Sequence, residues 1–172
     1  DTYVTSLDSD GFTVGNDPRT NTDTEAFVSW NWLANGATTV TNDDGTIDSE
    51  VTANTTAGFS IVEFAGIDDS TPTVGHGLTE APTLVIAKNR DETGNYLVYV
   101  PALTNGKNVY LNITNAETTQ SAYIQGQDNT ASIIQLNQSG GNDNLGRTGD
   151  TVIMYDFHSV EGYSKIGSYE GN

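Results

Sequence analysis

The sequence predicts an all-β protein: two packed antiparallel sheets in a jelly-roll or concanavalin-like sandwich, built on a degenerate internal repeat. Short stretches alternating between apolar and polar residues recur at regular intervals along the 172 residues. Clusters of Gly, Asn, Asp and Thr separate them, as turns require. No window carries a convincing helical period, and the length suits one domain with a proper core.

In chain order the expected strands are "FTVG" (12–15), "EAFVSWNWL" (25–33), "TIDSEVTA" (46–53) and "GFSIVEFAG" (58–66). "TLVIAKN" (83–89), "NYLVYVP" (95–101), "NVYLNIT" (108–114) and "SAYIQG" (121–126) follow. "ASIIQL" (131–136), "DTVIMYDF" (150–157) and "GYSKIGSY" (162–169) complete the set. Period two buries one face of a strand and leaves the other wet. "TLVIA" and "VIMYDF" are more continuously apolar, which places them centrally in a sheet. The best helical candidate is "NAETTQSAY" (115–123), and the β-branched Thr118 and Thr119 argue against it.

Composition limits the function classes. Six Lys and Arg stand against 23 Asp and Glu, a net charge of −17. Such a surface repels phosphate backbones and anionic lipid, so neither nucleic-acid binding nor membrane insertion is expected. No run approaches the ~18 apolar residues of a membrane helix. Without cysteine there are no disulfides and no thiolate metal sites.

A long repeat runs through the chain. "TEAFVSWNW" (24–32) aligns with "DTVIMYDFH" (150–158), and each precedes a Gly-aromatic-Ser strand, Gly58-Phe59-Ser60 and Gly162-Tyr163-Ser164. Residues 1–57 then read as the closing half of one unit, 58–161 as a complete unit, and 162–172 as the first strand of a further one. The chain is expected to be a window of a tandem array, or one sandwich of two related halves. Phe59 and Tyr163 should occupy equivalent places.

"SLDSDGFTVG", "EAFVSWNW", "GFSIVEFAG", "VGHGL-TEAPTLVIAKNRD", "YLN-ITNA" and "FHSVEGYSKIGSYEGN" run in an order that resembles a domain recurrent in marine bacteriophages. It resembles concanavalin-like sandwich domains found, often in tandem, in tail-fibre and other virion structural proteins. The resemblance covers nearly the whole chain. It departs from the usual pattern at "QSAYIQGQDNTASI", where relatives carry an aromatic-rich segment. It implies a virion-surface, extracellular location. Its partners would be other copies of the chain in a homo-oligomer, neighbouring virion proteins, and host-surface glycans.

Candidate site residues follow from chemistry. "DSDG" (8–11) and "NDDGTIDSE" (42–50) gather Asp8, Asp10, Asp43, Asp44 and Asp48, hard oxygen ligands suited to Ca²⁺. Neither fits the EF-hand spacing, and Asp-Gly is also the commonest hairpin dipeptide. Tyr96, Tyr99 and Tyr110 are candidates for stacking on sugar rings, whereas Trp30 and Trp32 read as core aromatics. Lys88 and Arg90 carry scarce positive charge, valuable at an inter-subunit contact on an acidic surface. Tyr163, Lys165 and Tyr169 lie on the expected terminal strand, whose free edge would pair with another copy.

No nucleophile–His constellation is visible, so no catalytic residue is assigned and a non-enzyme is expected. Glu63, Glu161 and Asp156 sit in apolar strands, where a raised pKa is plausible. A polysaccharide-cleaving pair among them is the enzymatic rival.

Overall fold

The computed structural model describes residues 3–34, 38–69, 71–119, 123–140 and 143–171. They fall into two units, Asp1–Trp32 and Leu33–Asn172. Among the described residues the strand pairings are antiparallel, apart from an isolated parallel bridge Ile47–Val74, and the only helical element is a single 3-10 turn, Gly126–Asp128.

The first unit is a hairpin and a tail. Strand β1 (Val4–Asp8) pairs with β2 (Gly11–Val14), closing on Ser9-Asp10 with Asp8 opposite Gly11. "DSDG" is thus a hairpin turn. Arg19 chelates the Asp17 carboxylate through Nε and Nη2, both at 2.9 Å, while its guanidinium lies 4.6 Å from the Tyr3 ring centre. Asp17 keeps almost no accessible surface. Residues 25–32 belong to no strand.

The second unit contains an eight-stranded sheet. Its strands are β3 (Val40–Asn42), β4 (Ser49–Asn54), β5 (Phe59–Ala65), β7 (Leu84–Asn89), β8 (Leu97–Tyr99), β9 (Lys107–Tyr110), β10 (Thr118–Thr119) and β13 (Thr151–Phe157). They lie in the order β10-β9-β8-β7-β13-β5-β4-β3. A three-stranded sheet, β11-β12-β6, comprises β6 (Thr73–Gly75), β11 (Tyr123–Ile124) and β12 (Ile133–Asn137).

The two sheets share one core, as in a β-sandwich. Val51, Val62, Phe64, Val85, Ala87, Leu97, Val152 and Met154 from the large sheet meet Val74, Ile124, Ile134 and Leu136 from the small one. Alternation explains which residues do this: in β13, Val152, Met154 and Asp156 point inward, and Ile153, Tyr155 and Phe157 point outward.

The outer face is also apolar. One cross-strand row runs Thr52, Ile61, Tyr155, Ile86, Val98, Val109 across six strands. Phe59 and Phe157 are partners in the neighbouring row, with ring centres 4.7 Å apart. β7 and β13 are central strands, as their near-continuous apolar runs predict.

Two expected strands are absent. Residues 25–33 alternate correctly but form no strand ladder, because alternation reports side-chain facing and not the presence of a neighbour. Residues 162–169 do not form an edge strand. Gly162, at φ 75°, closes a turn in which the Tyr163 and Ser164 amides donate to the Val160 carbonyl. Phe59 is buried within β5, whereas Tyr163 is exposed on that turn, so the two do not occupy equivalent places. Within 115–123, the β-branched pair Thr118–Thr119 forms β10 instead of helix, while residues 120–122 lie outside the described ones. Most of the expected strand 121–126 shrinks to β11, with 121 and 122 outside the described residues.

Candidate functional site

The candidate ligand tyrosines divide between two faces. Tyr99 points into the core and is only 5% exposed; its ring lies flat against Gly126, where any Cβ would collide with it. It offers no ring to a sugar, which corrects the stacking expectation. Tyr110 packs partly against the same core, opposite Leu97, while Tyr96 is exposed. The three do not form one platform.

The candidate calcium carboxylates sit in turns. Asp8 accepts a bond from Thr13 Oγ1 in the first-unit hairpin. Asp44 is held by Asn42, whose side chain both accepts from the Asp44 amide and donates to its carboxylate. Asp10, Asp43 and Asp48 are exposed. No three His, Cys, Asp or Glu side chains converge as metal ligands among the described residues.

Of the basic candidates, Lys88 donates from Nζ to the carbonyls of Asn89 and Glu92, and Arg90 pairs with Glu63 on the outer face. Tyr163, Lys165 and Tyr169 are exposed on the terminal segment, which is tied down by the Val160–Ser164 bridge and by Ile166 N to Ser159 Oγ at 2.9 Å.

The three acids singled out from the sequence do not converge. Glu63 faces outward, Glu161 lies exposed beside the Gly162 turn, and Asp156 is sealed in the core. Burial pushes the Asp156 carboxyl well above the ordinary carboxylate range, against the opposing pull of the Ser60 hydroxyl across the ladder. Neither Asp156 oxygen has a hydrogen-bond partner, nor has Ser60 Oγ, Thr83 Oγ1 or His158 Nε2. These atoms belong to adjacent positions. Ser60 faces Asp156, and Thr83 flanks His158, whose Nδ1 lies 2.9 Å from the Ser159 carbonyl. A carboxyl and a hydroxyl sealed between two sheets have no route to a polysaccharide.

The feature that sequence reasoning misplaced is the aromatic tail of the first unit. Trp30 is 72% exposed, Phe27 53%, Val28 68% and Trp32 52%, so the tryptophans are surface and not core residues. The hairpin continues this surface with Leu7 and Phe12, and Leu7, Phe12, Phe27 and Val28 line one open groove. None of the buried core residues belongs to the first unit. Its period-two aromatic pattern was the available signal. That pattern marks a strand-competent segment, and only the missing ladder separates a core strand from a surface arm.

Fold and site together define an antiparallel two-layer β protein bearing an aromatic, coreless N-terminal arm. The chain belongs to the DUF7483 family, described as a domain of unknown function, which matches residues 1–172. No curated protein and no solved structure matches it.

Proposed function

We propose that this chain is a non-enzymatic assembly module of a virion appendage, joined to neighbouring copies through its N-terminal arm. The observation that carries this reading is the arm itself. Units below about 40 residues rarely bury enough surface to hold together alone. Here the large apolar side chains of the first 32 residues are exposed. Apolar patches of that kind mark interaction sites. The acidic surface supports the same reading, because it keeps a densely assembled protein soluble.

Sedimentation of the full chain across a concentration series tests the proposal. Association with a Kd tighter than about 100 μM is expected. Phe27→Asp or Trp30→Asp should weaken it by about 2 kcal/mol or more, the cost of losing a buried aromatic anchor. A monomer at every concentration, indifferent to both substitutions, overturns the reading. Trp30 and Phe27 also favour a second reading, host-glycan binding by ring stacking. In that case the same substitutions abolish retention on a glycan array and leave sedimentation unchanged.

A further inference from the structure

Resting on that assembly reading, we infer that the arm of one copy docks on the outer face of the eight-stranded sheet of a second copy. Residues Val28 and Trp30, two apart and so on one face of an alternating segment, would lie along the row Ile61, Tyr155, Ile86, Val109.

Three observations select this surface. Within the second unit, the small sheet covers only the inner face of the large one, and no strand covers the outer face. That face is nevertheless built for burial. A sheet face meant for water alternates polar residues outward, yet β5, β7 and β13 present isoleucines, Tyr155, Phe157 and Leu84 there.

Charge then selects the occupant. Arg90 reaches Glu63 on the outer face, and strand alternation puts Lys88 and Lys107 there too. Half of the six basic residues of the chain thus gather on one face, against Glu50 and Glu63 from the neighbouring strands. The first unit holds Arg19 against six acids, and Asp23 and Glu25 immediately precede the aromatic run. An acidic, aromatic arm is complementary to an apolar face rimmed with bases, on a molecule whose remaining surface repels it. The arm also alternates, so as an added strand it can lay one row of side chains along a cross-strand row.

The chain has no cysteine, which makes engineered thiols clean reporters. Val28→Cys and Ile86→Cys variants of the full chain are mixed under mild oxidant, with circular dichroism confirming that each is folded. A mixed disulfide dimer should form roughly tenfold faster than either homodimer, because docking raises the effective thiol concentration. In a mixture with Glu25→Lys, a Lys88→Glu chain should recover association that it loses alone. The proposal is overturned if the Val28→Cys/Ile86→Cys double variant closes within one chain while the mixture stays monomeric. It is also overturned if association persists, and still responds to Trp30→Asp, with no cross-link at Ile86; that result leaves arm-driven assembly standing and moves the receiving surface elsewhere.

Discussion

Asp156 is the residue whose environment departs furthest from the ordinary. Its strand neighbours are Ser60 on β5 and Val85 on β7, with His158 two residues on, just past the end of β13, and His76 close to His158. Burial raises its folded pKa above the unfolded value near 3.8. Between those two values the unfolded chain has lost a proton that the native protein keeps, so stability falls as pH rises through this window. His76 acts oppositely. Its Nε2 meets the Thr130 carbonyl at 3.2 Å and its Nδ1 accepts from the Leu78 amide at 3.1 Å, which fixes a neutral ring. Burial lowers its pKa from 6.5, so its contribution is full above the unfolded value and is lost as pH falls through the folded one. Asp156→Asn removes the first slope and keeps the second. Urea unfolding of this variant should show stability rising with pH from about 4 to 7, and a higher midpoint than the natural chain at pH 7. A variant with the same pH profile as the natural chain would show that Asp156 is ionised in the fold. The acid was legible in "VIMYDF" because a carboxylate in a near-continuous apolar run has nowhere wet to go. That it faces the core and not the outer face was not legible, since both faces of that strand are apolar.

At the scale of elements, the sequence exposes what alternation and turn chemistry control. β4, β5, β7, β12 and β13 lie where period two and flanking Gly, Asn and Asp predict them. The short strands β1, β3, β6 and β10 are polar or only two to five residues long, and their pairing depends on neighbours that no local pattern encodes. The arm at 25–33 fails in the other direction, with a strand pattern and no ladder. Close packing between elements is equally invisible locally. The 3-10 turn brings Gly126 onto the Tyr99 ring, an approach that position 126 permits only because it has no side chain. Gly126→Ala should therefore destabilise by about 1–3 kcal/mol, the usual cost of overpacking. Tyr99→Leu, which withdraws the ring, should make the two substitutions less costly together than their separate sum. Urea midpoints of the four proteins measure this. Strict additivity would mean that Tyr99 and Gly126 do not meet.

For the whole molecule, the charge of −17 and the apolar surfaces oppose each other. Two copies approaching at low salt repel over the whole of their surfaces, whereas the complementary groups on arm and sheet face act only at short range. Screening has a length of about 10 Å at 0.1 M salt and shrinks to about 3 Å at 1 M. Raising the salt therefore suppresses the long-range repulsion and strengthens apolar burial. Association should tighten from low salt to about 0.5 M NaCl, the reverse of what a charge-driven complex does. Sedimentation in NaCl measures it, and weakening with salt would show that ion pairs, not the aromatic arm, hold the copies together. CaCl₂ and MgCl₂ at matched ionic strength should act alike if screening is the whole effect. A gain confined to Ca²⁺, and lost in Asp44→Asn, would give the turn at Asp43 and Asp44 a metal-bridging part in the same assembly.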